Sequence, residues 1–325
     1  MKVKSIGVFT SGGDAPGMNA AIRAVVRTAS YHQINVFGIY RGYEGMIDGE
    51  IRPMDNLSVA RIISRGGTIL QSARSPRFRT EEGMEAAYRN LRKHNIDALI
   101  AIGGDGTFRG AEELSVKYPV QVIGVPGTID NDLYGSDFTI GYDTAINTVV
   151  EAVDKIRDTA GSHNRLFFIE VMGRDAGFIA MRSGIATGAE DILIPETKTC
   201  IDDLIEKLKN NRRESKTSGI IIVAEGDEEG GAFEVARKVN EKFQGYSTRV
   251  TILGHVQRGG SPTCMDRVLA STLGFEAVNA LLQGENRVMV GQVNKKIVCT
   301  PFSRATKHHQ EINRQMLEMA RILSL

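Results

Sequence analysis

Short apolar runs that stop at a loop of glycines and acids, each followed by an apolar stripe at helical spacing, recur along this chain. That recurrence narrows its possible folds more than any other feature. Ser5–Thr10 (S-I-G-V-F-T) runs into S-G-G-D-A-P-G, and Met18, Ala21, Ile22, Val25, Val26 and Ala29 then repeat with the period of a helix. Further strands are expected over residues 35–40, 97–102, 120–125, 165–172, 191–194, 219–224 and 249–253. Helical stripes fall between them, among them Met84, Ala87, Tyr88 and Leu91, and later Ile146, Val149, Val150, Val153 and Ile156. Helices are also expected at 201–210, 233–243, 268–282 and 311–323, with two short strands near Val288 and Ile297. Alternation of this kind implies parallel sheets covered by helices on both faces. About ten strands are too many for comfort in one open sheet, and the loop chemistry changes near Gly141. The expectation is therefore two α/β domains with a cleft between them.

Composition removes other classes. Of 325 residues, 42% are apolar and 24% charged, an ordinary balance for a globular protein, and the formal net charge is +1. Nothing in that charge calls for nucleic acid or an anionic membrane as partner. Cys200, Cys264 and Cys299 lie far apart with no C-x-x-C pair, which suits a reducing cytoplasm better than a disulfide framework or a zinc site. The chain enters its first strand with no signal-type apolar region, and no run approaches membrane-spanning length, so a cytoplasmic protein is expected.

The strand-end loops carry the chemistry. After residues 120–125, Pro126-Gly127 breaks the strand and Thr128, Asp130 and Asp132 follow at every second position. In an extended loop the hydroxyl and both carboxylates would face one way, with Ile129 and Asn131 turned from them. Such a set suits a site that positions phosphate, carries a divalent ion or takes a proton; it also suits helix capping. The I-G-G-D-G-T loop, residues 102–107, places Gly103, Gly104 and Gly106 around Asp105, a lone carboxylate of the kind that suits magnesium. The S-G-G-D-A-P-G loop matches neither the dinucleotide nor the Walker pattern, yet a strand, a glycine loop and a helix in that order can present backbone N–H groups to an anion. Arg23 and Arg27 share the outer face of the following helix, as a solvated face or a second anion site. Tyr43 lies between glycines on what reads as a loop, free to stack or pack, and Arg74, Arg77 and Arg79 crowd a short basic passage. Farther on, strand ends carry Arg174, Glu225, His255 and Arg258, suited to a phosphorylated polyol.

In order and in spacing, T-S-G-G-D-A-P-G-M-N-A-A-I-R, I-G-G-D-G, P-G-T-I-D-N-D, V-M-G-R and L-G-H-V-Q-R-G-G-S-P resemble the bacterial ATP-dependent 6-phosphofructokinases over almost the whole chain, least after about Cys299. The resemblance implies two Rossmann-like, three-layer α/β domains with mostly parallel sheets and an active site in the cleft between them. Residues 1–141 with 257–304 would form the ATP- and Mg²⁺-binding domain, and 142–256 with 305–325 the sugar-phosphate domain. It implies a homotetramer whose substrates are fructose 6-phosphate and ATP, with Mg²⁺ as cofactor. Asp130 would accept the proton of the 1-hydroxyl; Thr128, Arg174 and Gly13 would attend the transferring phosphoryl group, and Asp105 would hold Mg²⁺. Gly13, Tyr43, Arg74, Arg79, Gly106, Thr107 and Gly110 would line the ATP site. Asp132, Met172, Glu225, His255 and Arg258 would join Thr128, Asp130 and Arg174 around the sugar phosphate, with Arg165 and Arg249 supplied by a neighbouring subunit.

Three competing readings are weaker. Pyrophosphate-dependent relatives usually carry Asp and Lys where this chain has Gly106 and Gly127. NAD kinases and diacylglycerol kinases share G-G-D-G-T but do not resemble the T-I-D-N-D or H-V-Q-R-G-G segments. A catalytically silent sugar-phosphate regulator is not supported, because every matching catalytic position is filled. The resemblance also implies a second anion site for ADP or phosphoenolpyruvate, matched by Arg23, Arg27, Arg157, Glu190 and Lys216. There the chain departs from its relatives: Glu214-Ser215-Lys216-Thr217 stands where they usually carry basic-Gly-Lys-Lys, and Asn56 where arginine is frequent.

Overall fold

A computed structural model describes residues 3–162, 165–213, 218–305 and 312–323, with backbone alone at 211–213. The chain divides into two compact units, Met1–Thr144 with Arg258–Gln310, and Ala145–Gln257 with Glu311–Leu325. The order of elements is β1 (Ser5–Thr10), α1 (Met18–Tyr31), β2 (Asn35–Ile39), α2 (Gly42–Asp48), β3 (Ile51–Met54), α3 (Glu81–Lys93), β4 (Ala98–Gly103), α4 (Asp105–Lys117), β5 (Gln121–Pro126) and α5 (Tyr142–Gly161). It continues through β6 (Arg165–Val171), α6 (Phe178–Thr187), β7 (Asp191–Leu193), α7 (Ile201–Arg213), β8 (Gly219–Ala224), α8 (Ala232–Lys242) and β9 (Ser247–Ile252). α9 (Cys264–Leu282), β10 (Val288–Val293), β11 (Lys296–Pro301) and α10 (Arg314–Leu323) complete it.

The first unit is built on a seven-stranded sheet in the order β11-β10-β5-β4-β1-β2-β3. Its central strands pair in parallel; β3 and β11 run antiparallel at the two edges. β1 and β4 are buried along their whole length, which is why they read as unbroken apolar runs rather than as alternating patterns. On one face Phe9, Ile39, Leu99 and Val122 pack with Met46 of α2, Met84 and Leu91 of α3, and Phe108 and Leu114 of α4. α1 packs along α9, and a Cβ at Gly274 would lie 2.7 Å from the Ala21 carbonyl oxygen, so that glycine permits the close approach of the two helices.

The second unit holds a four-stranded parallel sheet, β7-β8-β6-β9. Leu166, Phe168, Ile221 and Val223 form its core with Leu204 and Leu208 of α7 and Val235 and Val239 of α8.

Two elements depart from the expectation. β3 is a four-residue edge strand in which Phe37 faces Pro53, a place where the missing N–H of proline costs nothing. The R-G-Y-E-G-M passage, residues 41–46, was expected as a loop, yet from Gly42 onward it belongs to α2 despite two glycines. A Cβ at Gly45 would come within 1.8 Å of the Tyr40 carbonyl oxygen, so its glycine is a packing requirement rather than a turn signal.

Candidate active site

In the first unit β1 has β2 on one side and β4 on the other, so the chain reverses its direction of travel across the sheet at the β1/β4 boundary. Ligands of open α/β sheets bind outside the carboxyl ends of strands at such a point. Three glycine-bearing loops meet there. Thr107 Oγ1 donates to the Ser11 carbonyl at 3.2 Å, and the Gly127 N–H donates to the Gly103 carbonyl at 2.9 Å. A Cβ at Gly103 would stand 2.3 Å from Thr107 Oγ1 and 2.5 Å from the Ser11 oxygen, and one at Gly104 would lie 3.8 Å from Thr128 Cβ. Gly103 therefore permits a close approach to Ser11 and Thr107 that a side chain would prevent, while Gly104 lies within ordinary contact distance of Thr128.

The G-G-D-G-T passage is mostly not a loop. Gly104 is the N-cap of α4, and Asp105, Gly106 and Thr107 form its first turn. The exposed N-terminal N–H groups of a helix attract anions. Gly106 is exposed, and a Cβ there would meet nothing within 4 Å, so that flank is open to an approaching phosphate. The Asp105 side chain is 13% exposed and takes Arg109 Nε on Oδ1 at 3.1 Å. Among the described residues no group of three or more His, Cys, Asp or Glu could hold a metal. A lone carboxylate at an open helix N-terminus fits magnesium, which takes one or two carboxylates and fills its other positions with water and phosphate oxygens.

The Thr128–Asp132 segment is not uniformly extended. Asn131 has φ +52, which ends the expected alternation, so Asp132 does not continue the series of Thr128 and Asp130. Thr128 and Asp130 are both buried, at 9% and 6% exposure, and the Asp130 N–H donates to Thr128 Oγ1 at 3.2 Å.

Around these loops stand the other expected nucleotide residues. Arg74 and Arg79 are exposed. Tyr43 is not loop-borne: it lies in α2, buried, stacked on Phe78 at 4.0 Å, with its hydroxyl donating to the Thr107 carbonyl at 2.6 Å. Burial, and then the nearby Glu113 charge, push its phenol pKa well up. Its ring edge lies 3.2 Å from where a Gly110 Cβ would be, so Tyr43 supports α4 from behind rather than stacking freely. Arg258 leaves the second unit's chemistry and joins the first glycine loop. Its Nη1 donates to the Asp14 carbonyl at 3.3 Å and lies 2.5 Å from the position of a Cβ on Gly13.

In the second unit the ends of β6 and β8 hold one another. Glu225 Oε1 accepts from the Arg174 N–H at 2.6 Å and the Gly173 N–H at 3.3 Å, and Arg174 adopts φ +55. A Cβ at Gly226 would strike the Arg174 oxygen at 2.1 Å. The Met172 N–H donates to the buried Gln257 Oε1 at 3.3 Å, and His255 is exposed on a 3-10 turn, Gly254–Arg258, where an open loop was expected. Arg165 and Arg249 are elsewhere. β6 pairs in parallel with β8 and β9, and Arg165 begins β6 while Arg249 lies opposite Phe167. Arg249 Nη1 donates back to the Thr248 carbonyl at 2.7 Å and to Ser247 Oγ at 3.1 Å. Seven residues of strand rise about 23 Å, so Arg165 and Met172 stand at opposite ends of β6.

The residues expected at a second anion site are spread over both units. Arg23 is half-buried and Arg27 exposed; burial, and then the Arg27 charge, lower the Arg23 pKa. Arg157 donates to the Thr187 and Gly188 carbonyls at 2.6 and 3.1 Å and stands 3.9 Å from Glu190, whose other oxygen accepts from the Ile220 N–H. Lys216, like Glu214, lies outside the described residues.

Asn19 was not singled out in the sequence, and the acidic partners of Arg77 were not foreseen. Asn19, 1% exposed, donates to the Arg65 and Gly66 carbonyls and accepts from the Ile69 N–H, fixing the R-G-G-T passage. Arg77 bridges Glu44 at 2.6 Å and Asp48 at 2.9 Å, tying the basic passage to α2. An asparagine inside an apolar helical stripe was the available signal for the first; nothing local announced the second.

The phosphofructokinase family profile matches residues 5–281. The chain is 54% identical over 323 residues to a Bacteroides thetaiotaomicron protein named ATP-dependent 6-phosphofructokinase 2, covering 99% of each. It is 55% identical over 323 residues to ATP-dependent 6-phosphofructokinase 1 of Thermus thermophilus, covering 99% of this chain and 100% of that one. The solved phosphofructokinase of Saccharomyces cerevisiae matches at TM-score 0.88 and 38% identity over 99% of this chain and 48% of its own, so this chain spans about half the yeast chain. A pyrophosphate-dependent phosphofructokinase of Marinobacter aquaeolei, at TM-score 0.83 and 24% identity over 98% of this chain and 91% of its own, shares the fold. No helix among the described residues is long and apolar enough to cross a membrane. With family motifs at the loops that the fold brings together and a family match over most of its length, this chain belongs to the phosphofructokinases.

Proposed function

We propose that this chain is an ATP-dependent 6-phosphofructokinase, transferring the γ-phosphoryl group of ATP to the 1-hydroxyl of fructose 6-phosphate to give fructose 1,6-bisphosphate and ADP. The observation that carries the reading is the buried Thr128–Asp130 loop set against the glycine-bounded N-terminus of α4. Asp130 takes the hydroxyl proton, and Thr128 steadies the phosphoryl oxygens. The first turn of α4 and the Ser11–Gly13 loop receive the phosphates, and Arg258 adds positive charge beside Gly13. Bound Mg²⁺, held by Asp105, would neutralise phosphate charge. Phosphoryl transfer asks the protein for position and electrostatics rather than covalent work. In this reading the first unit serves ATP and the second, with Arg174, Met172, Glu225 and His255, serves the sugar phosphate. Free ATP and fructose 6-phosphate as substrates suit a cytoplasmic enzyme.

The rival donor is pyrophosphate. The open flank of Gly106 leaves room for the rest of a nucleotide, and this favours ATP. A coupled assay on fructose 6-phosphate should show turnover with ATP and little with pyrophosphate; preference for pyrophosphate overturns the assignment.

The placement of Arg165 and Arg249 supports a site completed by a second copy of the chain, within a homotetramer. Arg165 lies seven residues of β6 from Met172, a rise of about 23 Å, and Arg249 pairs opposite Phe167, five residues or about 16 Å from Met172, farther than one sugar phosphate reaches. Arg249→Ala is expected to raise the fructose 6-phosphate KM about ten- to a hundred-fold with kcat little changed, the worth of a charged hydrogen bond to phosphate. Reassembled mixtures of Asp130→Asn and Arg249→Ala chains should contain some intact sites. Hybrids no more active than either parent would refute sharing.

At the second anion site, the Glu214–Thr217 departure removes three units of positive charge relative to basic-Gly-Lys-Lys: two where a base becomes Glu214 and one where a lysine becomes Thr217. Anionic effectors depend on charge-assisted contacts. Fructose 6-phosphate saturation at low salt is therefore expected to respond weakly or not at all to sub-millimolar phosphoenolpyruvate or ADP. A strong rightward shift with phosphoenolpyruvate would mean that Arg23, Arg27 and Arg157 suffice.

A further inference from the structure

Asp130 stands between two residues that are pinned to the same neighbour. On one side the Thr128 carbonyl accepts from Thr139 Oγ1 at 2.6 Å. On the other, Asn131 Oδ1 accepts from the Thr139 N–H at 2.7 Å and lies 3.2 Å from Thr139 Oγ1, and Asn131 Nδ2 donates to the Asp137 carbonyl at 3.2 Å. Thr139 is wholly buried and Asn131 is 4% exposed. The returning segment is itself fixed, because the Ile140 N–H donates to the Pro126 carbonyl at 2.9 Å. Asn131 holds φ +52, a conformation in which asparagine is far more at ease than most side chains and which turns the chain immediately after Asp130.

We propose that the Asn131–Thr139 pair is a positioning clamp for the proton-accepting carboxylate of Asp130, a role that rests on the phosphoryl-transfer reading above. The side chain sequence logic turned away from the ligand is then functional through its neighbour. It sets where the Asp130 backbone lies, and Thr139 sets the Thr128 end of the same three-residue span. Misplacement of a reacting group by about 1 Å costs about a hundred-fold in rate, so loosening either pin should be read in kcat.

Asn131→Gly keeps the left-handed backbone available and deletes the side-chain bonds, which separates them from conformational strain. It is expected to lower kcat about ten- to a hundred-fold while ATP and fructose 6-phosphate still bind stoichiometrically, with each KM within about threefold of wild type. Thr139→Val should act likewise and Thr139→Ser should recover most of the loss, a second route to the answer if the glycine variant folds poorly. The deciding measurement places Asn131→Gly in an Asp130→Asn background. A clamp that works through Asp130 produces no further loss there. The same factor in both backgrounds, or a raised KM with kcat intact, overturns the proposal. Near-wild-type kcat in Asp130→Asn alone would instead remove the reading of Asp130 as the base, and the clamp with it.

Discussion

Asp130→Asn is expected to lower kcat by about 10²–10⁴ while both KM values stay within a few-fold, the usual worth of a positioned general base. The substitution is nearly isosteric, and Asp130 is 6% exposed, so the cavity it fills is unchanged. Its backbone contact, the N–H on Thr128 Oγ1, belongs to either side chain. The hydrogen bonds that flank it at Thr128 and Asn131 likewise do not involve its carboxylate. In the proposed mechanism, what is lost is the acceptor for the attacking hydroxyl's proton. Steady-state kinetics with both substrates varied in turn, beside a thermal melt, check it. A variant with near-wild-type kcat would show that some other group takes the proton.

Gly106→Asp should leave the protein folded and lower kcat/KM for ATP about a hundred-fold or more, since juxtaposed like charges cost several kcal/mol. A Cβ at this position meets no protein atom within 4 Å, and an acid in the first turn of α4 is favourable to the helix itself. The thermal midpoint is therefore expected to hold. In the proposed mechanism the same helix end receives the phosphates, however, and a carboxylate there would repel them and occupy the flank that the rest of the nucleotide needs. Kinetics with ATP at fixed fructose 6-phosphate give the answer. Unchanged kcat/KM for ATP would mean that the nucleotide approaches from another side.

Much of this was legible from residues alone, because fully buried parallel strands are apolar throughout and end abruptly. β1 and β8 are recovered at their full lengths, Ser5–Thr10 and Gly219–Ala224. α2 was illegible because its glycines make room for carbonyls, that of Thr10 at Gly42 and that of Tyr40 at Gly45, while local rules read them as turns. The reversal at Asn131 was hidden for a related reason. Its side chain is held by Asp137 and Thr139, six and eight residues on, which a period-two pattern does not register. The Arg77 bridge to Glu44 spans 33 positions and had no local signature.

The rigid length of β6 and β9 has a genetic consequence. Strand pairing holds Arg249 opposite Phe167, five residues of β6 short of Met172, so in the proposed shared site the arginine serves another copy of the chain and not its own. A chain that lends its arginines outward can be damaged without losing its own catalytic carboxylate, and the damage then appears in the neighbour. In a cell expressing two alleles, an Arg249 defect would spoil sites built on normal chains, while an Asp130 defect would spoil only sites built on itself. The two lesions should accordingly complement each other when co-expressed, although neither supports growth on a sugar that must pass this step alone.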